Sequence, residues 1–368
     1  MPRPGGRTPE PGVSELRLPR LFLGVYALLV VYASLYPLSG WRDQGVPAFA
    51  YLSAAWPRWV TLFDLASNFL GYLPLGVLCA LALHARRRGL AAIVVAVLSG
   101  AALSVALEAA QGFLPARVAS NLDVLANTAG ALAGAFAGTL AAPWLPGKGP
   151  LRRLRAETFL PGADADLMLA LLGLWLFAQL NPATLLFGTG DLRDLLADPP
   201  GPAHAPQLFV SVEAATAAAN LVAVSLLASV VVCPAARTRI LLLGVVVAAL
   251  AVKTLAFAVL MHAEHAFAWL TRGAQLGLGI GVACMLAAVV LPRTLRLVIA
   301  AVLLMAATVL VNLSPPNPYT AAMLKVWEHG HFLHFNGLTR LVSAAWPFAA
   351  LAYLILLASR GGGEQTLR

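Results

Sequence analysis

Charged residues are scarce in this sequence. Of its 368 residues, only 11% are Asp, Glu, Lys or Arg, whereas 60% are hydrophobic. Soluble domains carry roughly 25% charged residues, so this scarcity excludes an ordinary water-soluble globular protein. The mean hydropathy of +0.81 is typical of a chain that dissolves in lipid.

Cysteines and catalytic motifs are scarce as well. The three cysteines lie inside or at the ends of apolar runs, without the spacing of metal ligands, so we expect them to be small packing residues. The sequence contains no nucleotide-binding loop, no nucleophile-elbow motif and no zinc-protease helix. It therefore offers no standard catalytic template, and we expect no cofactor and no metal ion. The cysteines are Cys79, Cys233 and Cys284.

Positive charge is in excess, with a formal net charge of +9. Such a charge would suit a nucleic-acid-binding protein, but the Lys and Arg residues sit in short loops between apolar runs and form no single basic face. Nucleic acid is therefore not an expected partner, whereas membrane lipids are.

Apolar runs of spanning length fill most of the chain. A segment of roughly 18 to 25 apolar residues can cross a hydrocarbon core about 30 Å thick. Because backbone polar groups in lipid must be satisfied within their own segment, these runs predict helices. The first run lacks a convincing cleavage site, so we interpret it as an uncleaved helix. The sequence predicts an all-α, polytopic transmembrane helical bundle of about ten spans: 20–38, 64–84, 89–113, 122–144, 164–182, 206–233, 238–262, 271–291, 295–313 and 341–359.

The distribution of Lys and Arg predicts the orientation. Basic residues concentrate in alternate connections, and cytoplasmic loops are the ones enriched in Lys and Arg. We therefore expect a multi-pass protein of the bacterial cytoplasmic (inner) membrane with both termini in the cytoplasm. The basic set comprises Arg3, Arg7, Arg17, Arg20, Arg86, Arg87, Arg88, Lys148, Arg152, Arg153, Arg155, Arg237, Arg239, Arg293, Arg296 and Arg360.

The chain shows signs of an internal repeat. The fourth and eighth spans each carry three glycines at four-residue spacing, a pattern that lets transmembrane helices approach closely. The first, fifth and ninth spans each end in a Leu-x-Pro sequence. We interpret these matches as a parallel repeat of a four-helix unit, although 31 glycines can also produce such spacings by chance. The glycines are Gly130, Gly134, Gly138, Gly273, Gly277 and Gly281.

The predicted domain organisation follows from the spans and the repeat. A disordered cytoplasmic tail precedes a four-helix unit, a basic cytoplasmic linker, a degenerate second four-helix unit and a final pair of helices with a long outer loop. In that order they cover residues 1–19, 20–145, 146–163, 164–291 and 292–360, with a cytoplasmic tail at 361–368.

Polar residues are dense in the first unit. The second span begins, the third ends and the fourth begins on the same predicted side of the membrane, so their polar residues share one depth near the outer leaflet. Ionisable groups at membrane depth usually pair with one another, and we expect three carboxylates to surround one arginine. We name this set the outer polar cluster: Asp64, Asn68, Ser104, Glu108, Gln111, Arg117, Asp123 and Asn127.

The same residues carry a resemblance to a known family. The segment from Asp64 to Gly76 resembles the D-x-x-x-N-x-x-G-x-x-P-x-G signature of VanZ-like proteins, and Ser104 to Gln111 is similar to their S-x-x-x-E-x-x-Q helix. Arg117 and the stretch from Asp123 to Gly130 resemble the family's R-x(n)-D-x-x-x-N-x-x-G segment. The three motifs lie between Asp64 and Gly130, and the resemblance covers roughly residues 20–145. The resemblance implies a cell-envelope protein with a link to antibiotic resistance, since the family's named member is associated with resistance to the glycopeptide teicoplanin.

Two interpretations of the outer polar cluster remain open. In the first, its residues form interhelical hydrogen bonds and ion pairs that only hold the bundle together. In the second, they line a polar pocket that opens near the outer leaflet and binds a lipid head group or another amphipathic ligand.

The second unit departs from the motif pattern. It keeps Glu213, Asn220, Lys253 and Gln275, of which Lys253 lies within an apolar run and is expected to pair with Glu213 or to reach water. The last outer loop contains three histidines, but their spacing matches no standard metal site, and we expect an aromatic segment at the membrane interface. These histidines are His329, His331 and His334.

Three classes of function fit the sequence. The favoured one is a protein that binds or handles a cell-envelope lipid or amphipathic compound, with an effect on glycopeptide or envelope-stress susceptibility. The second is a membrane enzyme that acts on a lipid-linked substrate, with Glu108 and Asp123 as acid-base groups and Arg117 holding an anionic substrate. The third is a lipid transporter or flippase. The glycine faces also leave a homo-oligomer open.

Overall fold

The computed structural model is all-helical over the residues it describes, which are 17–57, 61–84, 87, 89–142, 150–193, 206–234, 237–261, 263–315 and 333–365. This part of the chain contains eleven α-helices and no β-strand. The helices are α1 (Arg17–Leu35), α2 (Leu62–Leu83), α3 (Leu90–Gln111), α4 (Asn121–Ala141), α5 (Pro150–Thr158), α6 (Ala163–Ala178), α7 (Pro206–Ser229), α8 (Thr238–Leu260), α9 (Arg272–Ala288), α10 (Arg293–Leu313) and α11 (Leu333–Gln365).

Ten of these helices coincide with the ten predicted spans, which confirms the prediction of a polytopic helical bundle. Eight of them are long and apolar enough to cross a membrane. The other two, α6 with 16 residues and α9 with 17, are shorter. At 1.5 Å per residue they reach roughly 24 to 26 Å, which is less than the hydrocarbon thickness of about 30 Å.

Three helix boundaries differ from the sequence-based expectation. The predicted linker contains a short helix, α5, whose Leu154 is exposed. Helix α11 begins before the predicted tenth span and continues to Gln365, into the predicted cytoplasmic tail. Helix α1 begins at Arg17, within the predicted disordered tail, whose first 16 residues lie outside the described part of the chain. Apolar periodicity identifies a helix but not its ends, because polar residues at the membrane surface can continue the same helix.

The chain divides into two compact units, residues 1–156 and 157–368. In the first unit, α4 packs along α2, and α1 and α3 pack beside this pair. In the second unit, α7 is the most buried of the candidate spans, with 61% of its apolar window inside the fold. It packs against α9 and α10, while α11 packs against α6.

Glycine allows the closest helix approach within each unit. A Cβ atom placed on Gly134 of α4 would lie 2.0 Å from the Leu73 carbonyl oxygen of α2. In the second unit, a Cβ atom on Gly277 of α9 would lie 2.7 Å from the Ala214 carbonyl oxygen of α7. Such distances are far inside van der Waals contact, so any side chain would push the helices apart. The predicted glycine faces are therefore the packing faces of both helix pairs.

Candidate functional site

The outer polar cluster lies in the first unit, where the start of α2, the end of α3 and the start of α4 meet. Its three acids differ in depth. Asp64 is exposed, Asp123 is partly exposed, and Glu108 is only 4% exposed. The cluster therefore runs from a solvent-accessible rim to a buried carboxylate.

Asp64 forms the rim and has a structural task of its own. Its Oδ2 accepts hydrogen bonds from the Thr61 hydroxyl at 2.7 Å and from the Thr61 amide at 3.2 Å. Its own amide donates to the Thr61 hydroxyl, which completes a capping box at the first turn of α2. Asp64 is thus accounted for by capping, although it remains close enough to influence Asp123 electrostatically.

Glu108 ties the end of α3 to the start of α4. Its Oε2 accepts a hydrogen bond of 2.7 Å from the backbone amide of Ser120. Ser120 is the N-cap of α4, and its hydroxyl accepts from the amides of Leu122 and Asp123. The carboxylate is therefore held in one position at the helix junction, since its partner belongs to a capped helix start.

Asp123 faces α2 across the same junction. Its carboxylate lies near the side chain of Asn68, one turn beyond Asp64. Below this pair, the Asn127 amide group donates to the Ser104 hydroxyl at 2.9 Å, and the Tyr72 hydroxyl also bonds with Ser104. The cluster residues on α2, α3 and α4 are thus brought together, as their spacing predicted.

Arg117 has a different role from the one predicted. Its Nη2 donates to the Ala33 carbonyl oxygen at 2.7 Å, at the C-terminal end of α1, where the helix dipole favours positive charge. Among the described residues it forms no ion pair within 4 Å with Glu108 or Asp123. The expected ring of paired carboxylates is therefore wrong in this detail.

The carboxylates still act on Arg117 at longer range. Burial lowers the pKa of the Arg117 guanidinium, and the negative charges of Glu108 and Asp123 oppose that shift. Gln111 supports the same helix end, because its Nε2 donates to the Ser34 carbonyl oxygen at 2.8 Å. Arg117 and Gln111 together hold the end of α1 against the cluster.

Sequence reasoning missed the part of the first outer loop that lies over α3. The Tyr51 hydroxyl donates to the Val105 carbonyl oxygen at 2.9 Å, and Gln44 Nε2 donates to the Gly112 carbonyl oxygen at 2.8 Å. Asn121 reaches back to the Ala54 carbonyl oxygen at 2.7 Å. Burial raises the pKa of Tyr51, and the negative charge of Glu108 adds to the shift. No motif marks Tyr51, and the available signal is that its loop also carries Trp41 and Trp56, a residue type enriched at membrane interfaces.

Comparison with known families supports the resemblance carried by these residues. The VanZ/LLP1 family model matches residues 22–142. These residues form a VanZ-like domain. The matched range contains α1 to α4 and all eight residues of the outer polar cluster, and it covers about a third of the chain. Comparisons with curated proteins and with solved structures give no significant match.

Lys253 is a buried cation in the interior of the second unit, outside the VanZ-like domain. It is 1% exposed, and its ammonium donates to the carbonyl oxygens of Asn181 at 2.7 Å and Thr184 at 2.8 Å. The expected pairing with Glu213 is wrong at contact distance, because no ion pair joins the two residues and Glu213 hydrogen-bonds with Thr271. Backbone carbonyls beyond the end of α6 replace the carboxylate, as they do for Arg117 at α1.

The remaining candidates of the second unit are not gathered around Lys253. Asn220 accepts a hydrogen bond of 3.0 Å from the Thr189 hydroxyl, and Gln275 donates to the Leu270 carbonyl oxygen at the start of α9. The described residues contain no group of three His, Cys, Asp or Glu side chains suited to a metal ion. The predicted loop with His329 and His331 lies outside the described residues.

Proposed function

We propose that the VanZ-like domain binds or handles a cell-envelope lipid or another amphipathic compound through the outer polar cluster. The supporting observation is a set of polar atoms that the protein leaves without partners. Arg117 Nε and Asn127 Oδ1 are buried, and neither has a hydrogen-bond partner. An unpaired buried polar group costs roughly 1 to 3 kcal/mol, so such groups are uncommon unless a ligand or water completes them.

The unpaired atoms favour a ligand head group with mixed polarity. Arg117 Nε is a donor, whereas Asn127 Oδ1 is an acceptor, and the acids Glu108 and Asp123 add further acceptors. The helices and the loop that carry the cluster also expose apolar side chains, including Leu62, Leu70, Val118 and Leu125, all more than half exposed. A ligand with a polar head and an apolar tail matches both surfaces.

The membrane side of this site is part of the proposal. The loop charges favour an orientation in the bacterial cytoplasmic membrane with both termini inside, which places the cluster near the outer leaflet. An influence on glycopeptide or envelope-stress susceptibility rests on the family resemblance alone.

The second unit, in the same proposal, is a degenerate copy of the first. In both units, glycines of one helix approach every fourth residue of another: α4 approaches α2 in the first unit, and α9 approaches α7 in the second. A cation on a later element binds backbone carbonyls in both units, at the end of α1 in the first and in the segment after α6 in the second. The α4 glycines meet Phe69, Leu73 and Val77, and the α9 glycines meet Val210, Ala214 and Ala218. In this alignment Asn68 and Asn127 correspond to Phe209 and Leu270, so the copy has lost its polar cluster.

The test compares co-purifying lipids and drug susceptibility in cluster variants. The variants are Glu108→Gln, Asp123→Asn and Arg117→Ala, with Glu264→Gln as a control that removes an exposed acid from the second unit. Membrane abundance is matched first, and native mass spectrometry then reports bound lipids. We expect the cluster variants to lose a bound lipid or an envelope phenotype that the control keeps.

Two other outcomes would redirect the assignment. Variants that accumulate normally and keep every bound lipid and phenotype would show that the cluster only holds the bundle together. Retained binding with lost turnover of a lipid-linked substrate in Glu108→Gln would favour the membrane enzyme. That alternative has a specific basis, because Glu108 is buried and held by the Ser120 amide in one position.

A further inference from the structure

A second polar site lies in the second unit, away from the cluster of the VanZ-like domain. A groove of about 580 Å³ opens where α7 and α9 end and α8 and α10 begin. Three arginines line it, namely Arg237, Arg239 and Arg296, and its lining within the described part of the chain includes no Asp or Glu. We call it the basic groove.

Arg296 is fixed inside the basic groove. Its Nη1 donates to the Ser229 hydroxyl at 2.7 Å and to the Ser229 carbonyl oxygen at 3.3 Å. Its Nε is buried and has no hydrogen-bond partner. Ser229 therefore holds the guanidinium in a fixed position, and a positioned arginine is well suited to charge-assisted hydrogen bonds with phosphate or carboxylate.

The surroundings of Arg296 are positive as well. Arg237 and Arg239 are exposed at the mouth of the groove, and Arg293 lies within electrostatic range of Arg296. Helices α8 and α10 both begin at this end, and neither start has a side-chain capping hydrogen bond. Helix N-termini carry partial positive charge, so they add to the attraction that the arginines exert on an anion.

Aliphatic side chains also line the basic groove. Val232, Ile240, Val289 and Val290 line it, and Ile240 and Val290 are 60% and 66% exposed. A molecule in the groove would therefore meet both arginines and exposed aliphatic side chains. A soluble anion would use only the arginines.

We propose that the basic groove binds the phosphate-bearing head group of an anionic phospholipid, with its acyl chains along Ile240 and Val290. The phosphate lies against the Arg296 guanidinium, and the exposed Arg237 and Arg239 add their charges to it. This site is independent of the function proposed for the outer polar cluster. Its end of the helices is the one that loop charges predict to be cytoplasmic, where anionic lipids attract basic clusters.

The test titrates the full-length protein in detergent with phosphatidylglycerol and, separately, with phosphatidylcholine, and native mass spectrometry counts bound lipid. Arg239→Gln/Arg296→Gln removes two groove charges. Arg20→Gln/Arg272→Gln is the matched control, since it removes two exposed arginines elsewhere. Arg237→Gln/Arg239→Gln spares the Ser229 contact and serves if loss of Arg296 prevents folding. We expect affinity for phosphatidylglycerol to fall about fivefold for each groove arginine removed and to change little in the control.

Three results would overturn the proposal. Equal affinity of the groove variants and the control for phosphatidylglycerol would show that the arginines act only as general surface charge. Equal binding of phosphatidylcholine by the wild type would show that the aliphatic side chains alone select the ligand. Displacement of phosphatidylglycerol by an equal concentration of glycerol phosphate would assign the groove to a soluble phosphate compound.

Discussion

The packing of α4 on α2 makes a sharp prediction for Gly134→Ala. The added methyl group would stand 2.0 Å from the Leu73 carbonyl oxygen, 2.9 Å from its carbonyl carbon and 3.0 Å from the Val77 amide nitrogen. All three atoms belong to the backbone of α2, so no side chain can rotate away. The helices must separate by about 1 Å or more, since carbon and oxygen atoms in contact rarely lie closer than roughly 3.3 Å.

Two effects of opposite sign decide how much Gly134→Ala changes the free energy of unfolding. Alanine favours the helix by up to about 1 kcal/mol relative to glycine. Overpacking costs about 1 to 3 kcal/mol, and a rigid backbone neighbour places this site at the upper end. We therefore expect Gly134→Ala to lower the free energy of unfolding by about 2 kcal/mol. The separation would also move Asp123 away from Asn68, its neighbour on α2.

Equilibrium unfolding in mixed micelles with increasing sodium dodecyl sulfate measures this change. Gly71→Ala is the matched control, because Gly71 lies on α2 and a Cβ there has no atom within 4 Å. The control should be neutral or slightly stabilising. If Gly134→Ala were as stable as Gly71→Ala, the close approach of α2 and α4 would be refuted.

Three further predictions use the same unfolding assay. In α9, Gly277→Ala should destabilise the protein, whereas Gly279→Ala, whose Cβ meets open space, should not. Equal effects of the two substitutions on stability would contradict the packing of α7 on α9. Lys253→Met should lower the unfolding free energy by about 2 to 4 kcal/mol because the carbonyl oxygens of Asn181 and Thr184 lose a charged donor and only the Thr184 hydroxyl still donates to Asn181; unchanged stability would show that water replaces the ammonium. Thr61→Ala should cost about 1 kcal/mol and speed hydrogen exchange in the first turn of α2, whereas Thr61→Ser keeps the capping hydroxyl and should change neither quantity; a similar loss in both variants would argue against the capping box.

Local patterns explain why most of the fold was predictable. A run such as 238–262 reveals a helix because length and apolarity are properties of the segment itself. The glycine faces of α4 and α9 follow from four-residue spacing, and the cluster on α2, α3 and α4 follows from placing three helix ends on one membrane side. The lengths of α6 and α9 were less predictable. These helices end at Ala178 and Ala288, but apolar residues such as Leu180 and Val289 continue beyond the ends.

The sequence by itself therefore determined the helical membrane class, the positions of the helices, the glycine packing faces and the VanZ-like motif residues. The tertiary structure decided which polar groups meet. Arg117 and Lys253 bind helix-end carbonyls rather than carboxylates, and the basic groove joins two connections far apart in the chain. Charge and spacing along a chain indicate which groups need partners. The partners themselves depend on distances across helices, which exist only after the helices have packed.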